Sequence, residues 1–147
     1  MKKILFSVLL LCAVTFATIC HAESWQSVST TPTQTIFIDA DSVAILSAPD
    51  VTAPPSSNAL MFSGKITFSD KHPQYVKNNI RTAIMQFNAY QNSNGYSEYR
   101  LTQTKYLSNS GQVIKTFGKT HFNMIRKGSM GDVLYNAAKK IATSNNL

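Results

Sequence analysis

Both cysteines of this chain, Cys12 and Cys20, fall within an amino-terminal stretch that reads as an export signal, so whatever folds after it must do so without a disulfide. Lys2-Lys3 is followed by a mainly apolar run from Ile4 to Ile19, then by Cys20-His21-Ala22 ahead of Glu23. Leu11 precedes Cys12 and Ile19 precedes Cys20, whereas lipid attachment requires a small residue before the cysteine, so the product is not expected to be a lipoprotein. Cleavage before Glu23 takes 22 of the 147 residues and leaves 125; Lys2 and Lys3 leave with them, so 12 basic and 7 acidic side chains remain, a net charge of +5. The loss of both thiols also excludes cysteine nucleophiles and cysteine-based zinc sites from residues 23–147. A chain of this length forms one domain and buries about two-thirds of the surface it exposes when unfolded, enough to fold without a cross-link. No later stretch approaches the roughly 18 apolar residues of a membrane span, so the expected product has no transmembrane segment and is periplasmic, secreted or associated with the outer surface.

The remaining sequence reads as α+β: an antiparallel sheet of about five to six strands with a carboxy-terminal helix packed against it. Trp25 to Ser29 is short and alternating, and Gln34 to Ile38 is rich in β-branched and aromatic residues. Asp39-Ala40-Asp41-Ser42 predicts a turn, because short polar side chains bond nearby amides, with Val43 to Leu46 resuming as a second strand. Pro49, Pro54 and Pro55 predict a loop over Ser47 to Asn58. Over Ala59 to Ser69 the period is two, with Leu60, Phe62, Gly64, Ile66 and Phe68 on one face and Met61, Ser63, Lys65 and Thr67 on the other, which predicts a central strand. Asp70 to Pro73 turns the chain. Val76 to Tyr90 fits either a helix, through Ile80, Ile84 and Phe87, or a strand, through Arg81, Ala83, Met85, Phe87 and Ala89. Turns at Asn92-Gly95 and Ser108-Gly111 predict a hairpin of Tyr96 to Leu107 with Gln112 to Phe117, followed by a last strand from Thr120 to Ile125.

The closing helix has its own start signal. Ser129 stands three residues before Asp132, a capping-box spacing in which hydroxyl and carboxylate each satisfy a free amide of the first turn. Val133, Leu134, Ala137, Ala138 and Ile141 form an apolar stripe, and Lys139-Lys140 lie toward the end where positive charge suits the helix dipole.

Four segments together resemble the surface-adhesin protein E family of bacterial envelope proteins: Trp25 near the start, Phe37-Ile38-Asp39-Ala40-Asp41-Ser42-Val43, Tyr99-Arg100-Leu101-Thr102-Gln103 leading to a turn at Gly111, and Ile125 to Ile141. The last carries Gly128-Ser129 before Val133-Leu134-Tyr135-Asn136-Ala137-Ala138, similar to the family's short turn and closing helix. The resemblance implies one surface-adhesin E-like domain over residues 23–147, non-enzymatic and without a cofactor, that binds host matrix or plasma glycoproteins. Structural roles are expected for Trp25, for Asp39 and Asp41 in the turn, for Ser129 and Asp132 at the helix cap, and for Leu134 and Ile141 in the apolar stripe. The chain departs from the family where Tyr96 and Ala142 stand at the positions matched to a helix-to-strand disulfide. Without that link, typically worth about 2–4 kcal/mol, packing of the stripe must hold the helix. The absent lipid site is the second departure.

Charge supplies a separate reason to expect acidic partners. Lys77, Arg81, Arg100, Lys105, Lys115 and Lys119 cluster in the second half among Tyr90, Tyr96, Tyr99 and Tyr106. Cations beside aromatic rings suit sulfated sugars or acidic protein patches, and Lys77, Arg81, Tyr99, Arg100, Lys105 and Tyr106 are the candidate binding residues. The same residue types also serve as the ordinary surface of a small β domain. Other chemistry is less well supplied. Asp39 and Asp41 lack a calcium-binding loop, His72 and His121 lack a third metal ligand, and Gly128-Ser129-Met130-Gly131 lacks nucleophile-elbow spacing. Glu98 has no second internal glutamate to form a glycosidase pair, so neither an enzyme nor a metal site is expected. Scattered cations without a recognition motif, on an exported chain, argue against nucleic acid. Two readings follow: an adhesin-like module that meets host glycoproteins, and a periplasmic structural or interaction protein whose partner is a bacterial envelope protein.

Overall fold

The computed structural model describes residues 23–46, 59–91 and 94–147; the stretch read as an export signal (1–22), the expected proline-containing loop (47–58) and residues 92–93 of the next expected turn lie outside the described residues. The elements are β1 (Trp25–Thr30), β2 (Gln34–Ile45), β3 (Leu60–Phe68), α1 (Pro73–Asn78), β4 (Thr82–Gln91), β5 (Ser97–Leu107), β6 (Val113–Phe117), β7 (Asn123–Met124) and α2 (Met130–Ser144). Strands β1 to β6 pair antiparallel in sequence order, a six-stranded meander, and the two-residue β7 pairs with β5 beyond the end of β6. This is the α+β arrangement expected from the alternating segments and the closing helix.

Alternation divides the sheet into two faces. On the inner face, Ile38, Gly64, Met85, Thr104 and Phe117 share one row across β2 to β6, and Phe62, Phe87 and Leu101 share another. Phe62 and Phe87 stack at 5.0 Å, and Phe87 meets Tyr99 at 5.6 Å. Helix α2 packs on this face, mainly over β2 with β1 and β3 beside it. It buries Leu134, Tyr135, Ala138 and Ala142 fully, while Ala137 and Ile141 are partly buried at the margin of the same core. Of the expected stripe, Leu134 and Ala138 are the buried members, while Tyr135 and Ala142 join them from the next positions round the helix; Lys139 Nζ lies 4.7 Å from the centre of the Tyr135 ring. Burial also pushes the Tyr135 hydroxyl pKa upward.

Gly64 sets how close the helix can come. A Cβ at this position would lie 2.8 Å from Leu134 Cδ1 and 3.1 Å from Phe87 Cε2, so the absent side chain is the notch that receives Leu134. A glycine in mid-strand weakens the strand itself, and close approach of another element is the compensating use. A second close contact occurs at Gly131, where a Cβ would meet the Tyr99 ring at 3.2 Å.

Three local expectations need correction. Asp39 to Ser42 does not end a strand: β2 continues through it, and the extra residues form an irregularity between Asp39 and Ala44. The expected local bonds form nonetheless. Asp39 Oδ1 accepts from the Ser24 and Asp41 amides at 3.1 and 3.3 Å, while Ser42 Oγ donates to the Asp39 carbonyl at 2.7 Å and accepts from the Ser63 amide at 2.8 Å. Ser42 thus replaces a ladder bond that the bulge removes, which lets the strand continue. At the helix start, Ser129 Oγ accepts from the Asp132 amide at 3.2 Å as expected, but Asp132 Oδ2 takes the Gly128 amide at 2.8 Å and not that of Ser129, which bonds the Arg126 carbonyl. The strand expected over Thr120 to Ile125 shrinks to β7, because Thr120 uses its backbone and hydroxyl on Leu101 before regular pairing resumes.

Of the two readings of Val76 to Tyr90 the strand holds, since Ile84 and Phe87 lie in β4 and Ile80 lies outside any helix; a short helix, α1, precedes it and ends at Asn78. His72 Nδ1 accepts from the Gln74 amide at 3.1 Å and caps α1, Pro73 opens it, and Asn79 closes it at φ 54°. From Thr82 the alternation takes over, turning Ala83, Met85, Phe87 and Ala89 into the core.

The Gly64 notch yields a double-mutant prediction. Gly64→Ala destabilises by about 1–3 kcal/mol through overpacking. Leu134→Ala destabilises by about 2–5 kcal/mol through the cavity it leaves. In the double variant the new methyl occupies space vacated by Leu134, so the combined loss falls short of the sum by about 0.5–3 kcal/mol. Chemical denaturation of the four proteins measures this, and strict additivity would show that the two residues do not meet.

Candidate binding surface

The face of the sheet opposite α2 gathers cations and rings from strands far apart in sequence. Register places Ser27, Phe37, Lys65, Ile84, Lys105 and Thr116 in one row across all six strands. Lys65 Nζ stands 4.3 Å from the centre of the Trp25 ring and 4.9 Å from that of Phe37, a cation held against two aromatic faces. Burial between the rings lowers the Lys65 pKa, and the nearby charges of Glu23 and Asp39 oppose that shift. Trp25 is fixed in turn by its Nε1, which donates to Glu23 Oε2 at 2.6 Å. Lys105, Gln86 and Met61 are exposed on the same face.

A second cluster stands at the far end of this face. The Arg100 guanidinium lies 4.8 Å from the centre of the Phe122 ring, and Tyr90 meets Phe122 edge-on at 5.1 Å. The Tyr90 hydroxyl donates to Glu98 Oε2 at 2.7 Å. Burial, this hydrogen bond and the Glu98 charge push the Tyr90 pKa up to about 12, with Arg100 opposing them.

The six candidate binding residues do not share one face. Arg100 and Lys105 lie on the outer face, while Tyr99 and Tyr106 point into the inner one, where Tyr106 meets Phe117 at 5.3 Å. Lys77 is exposed in the last turn of α1. Arg81 is a clamp: its side chain donates to the Phe68 carbonyl at 2.8 Å and Asn109 Oδ1 at 3.1 Å, pairs with Asp70, and lies 4.0 Å from the centre of the Tyr75 ring. The hydrogen bond to Asp70 raises its pKa further above the ordinary arginine value. The sequence reading missed Lys65, Phe37 and Phe122 as surface partners, and treated Trp25 as structural alone. Alternation over Ala59 to Ser69 does turn Lys65 away from the core, but its meeting with Trp25 and Phe37 depends on a register that only the paired strands reveal.

His72 is engaged as the α1 cap and stacks on Phe68 at 4.3 Å, while His121 is exposed in the segment between β6 and β7. Among the described residues no group of three or more His, Cys, Asp or Glu is placed to hold a metal ion, and no helix is long and apolar enough to cross a membrane.

Tyr90 gives a titration with a definite sign. Its folded-state pKa of about 12 exceeds the ordinary value of 10.0, so its contribution to stability is complete below pH 10 and is lost as pH rises toward 12. Tyrosinate absorbance should show Tyr90 ionising near pH 12 in the folded protein, and Tyr90→Phe should reduce the amplitude there by one ring and flatten the alkaline fall in stability. Unchanged alkaline titration in the variant would refute the assignment.

Comparison of the chain with family models, with curated proteins and with solved structures yields no match, so the open sheet face and its chemistry are the basis for a functional reading.

Proposed function

We propose that the chain is an exported, non-enzymatic binding module, adhesin-like in role, that meets a host matrix or plasma glycoprotein through the outer face of its sheet. The observation that carries this reading is the row containing Phe37, Lys65, Ile84 and Lys105, with Trp25 beside Lys65 and Arg100 on the same face. Planar rings on a rigid sheet offer stacking surfaces to sugars, and cations interleaved with them attract sulfate or carboxylate. The apolar amino-terminal run and the resemblance to surface adhesins support export and an extracellular ligand. Lys105, the exposed cation of this row, acts through water-exposed charge, so its effect belongs mainly to association and is screened by salt.

Two measurements test the proposal. In surface plasmon resonance against immobilised matrix and plasma glycoproteins, Lys105→Glu should weaken binding about tenfold at low ionic strength, with the difference shrinking as salt rises. Lys77→Glu, on α1 and off this face, should leave binding unchanged; equal losses from both would mean net charge alone governs attraction. Arg81→Ala is a stability control: it should lower the melting temperature by unlocking the connections it joins. Protease added to intact cells should remove the protein, whereas full protection with a mature mass beginning at Glu23 would favour the periplasmic reading and an envelope partner.

A further inference from the structure

Strand β6 ends the sheet with a different character from the opposite edge. At the other margin, β1 presents Gln26, Ser27, Ser29 and Thr30, with its apolar Val28 packed against the core and its Trp25 ring held against Lys65. On β6, Val113 is 56 %, Ile114 47 % and Phe117 38 % exposed. No described strand pairs with the outer side of β6, since the ladder order ends there and β7 joins β5. An edge with unpaired backbone groups and exposed apolar side chains is a template for another strand, and proteins that avoid such pairing cover or charge the edge.

The charge around β6 selects the occupant. From Tyr99 to Gly131 the sequence contains no Asp or Glu, and it carries Arg100, Lys105, Lys115, Lys119, Arg126 and Lys127, half of the 12 cations that follow Ala22. Because β6 and β7 both pair with β5 along the edge away from β4, this run occupies one margin of the molecule. A second copy is a poor match. Antiparallel two-fold pairing over all five residues Val113 to Phe117 sets the central Lys115 against its own copy, and like charges directly opposite destabilise a strand pair. A foreign segment with acidic side chains has the opposite sign at the same place.

We infer that β6 is a docking edge for an extended, acidic segment of another protein, which adds to the sheet as a further antiparallel strand. Backbone hydrogen bonds along β6 supply affinity, as in other strand-addition complexes, and alternate side chains supply selection. An acidic residue faces Lys115, and an apolar residue two positions along faces Phe117, which already packs edge-on against Tyr106 and under Lys115 Nζ at 4.6 Å. The surface is distinct from the outer-face row proposed for glycoproteins, so either assignment stands or falls without the other.

The test uses three synthetic seven-residue peptides: a Val-Glu peptide in which Val and Glu alternate at every second position with Thr between them, its Val-Lys counterpart, and the Val-Glu peptide with its central residue replaced by proline. Each is titrated into isotopically labelled processed protein, read by amide chemical shifts and hydrogen exchange. The expected result is binding of the Val-Glu peptide with slowed exchange at residues 113–117, at least about tenfold weaker binding of the other two, and reversal of the Glu-over-Lys preference in Lys115→Glu. Lys115 is exposed at the edge, so this variant keeps the fold, and an unchanged far-ultraviolet circular dichroism spectrum checks it. Equal binding of the proline peptide would overturn the inference in favour of simple polyanion attraction. So would shifts confined to the outer face, absence of any Val-Glu binding, or slowed exchange at 113–117 from self-association detected by sedimentation without peptide.

Discussion

The seating of Leu134 in the gap above Gly64 is the contact on which the architecture depends. An open antiparallel sheet needs something to cover its apolar face, and here a single helix does so without a covalent link. Leu134 is fully buried, and the missing Cβ of Gly64 leaves the gap that Leu134 enters and that Phe87 also borders. Phe87 stacks on Phe62 and leans on Tyr99, and Tyr99 in turn lies against Gly131 at the start of the helix. Two glycines, one on the sheet and one on the helix, therefore fix both the height and the position of α2. Fully burying a leucine contributes about 1.5–3 kcal/mol, so the partners clustered around this seat can supply what a disulfide would.

Placing the helix on one face leaves the chemistry of the other face to be decided by side chains alone, and the cations divide accordingly. Arg81 is committed to structure. Its backbone accepts from Phe68 and donates to Leu107, and its guanidinium reaches Phe68, Asp70 and Asn109, so one residue joins the end of β3 to the connection between β5 and β6. Lys65 is intermediate: rings on two sides restrain it, yet it stays on the open face. Lys105 and Arg100 are placed by alternation, one exposed and one beside Phe122. Identical charges in the sequence thus have different uses, and the distinction comes from what each touches.

Much of the fold was legible because its strongest signals are local. The alternation of Leu60 to Phe68, the paired turns around β5 and the Ser129 cap are each decided within about ten residues. Misreadings arose where one local pattern has two outcomes. Asp39 to Ser42 has the side chains of a turn, and they make turn-like bonds, but Ser42 also reaches Ser63 on the next strand and holds the segment in the sheet as a bulge. Thr120 looks like a strand residue, but its hydroxyl accepts from the Leu101 amide, a position that regular pairing would fill with a carbonyl. The helix stripe also takes in Tyr135, which is polar at its tip but buries its ring. The candidate site was harder to read: Trp25, Phe37 and Lys65 come from three strands, and no sequence spacing encodes their meeting.

A meander converts sequence proximity and alternation into different kinds of nearness. Neighbouring segments become neighbouring strands, so a run of similar charge becomes a sector of the molecule that includes both faces and an edge. Alternation assigns every second side chain to one face, so a face draws on all the strands. The cationic, tyrosine-bearing second half of this chain is a sector: Tyr99 and Tyr106 turn inward, Arg100 and Lys105 turn outward, and Lys115 stands at the margin. Residues that share a face have to be collected across the register, which is how Lys65 from β3 comes to lie in one row with Lys105 from β5. For a fold of this topology, compositional bias therefore points to an edge before it points to a face, and the charge run from Tyr99 to Gly131 belongs first to the margin formed by β6.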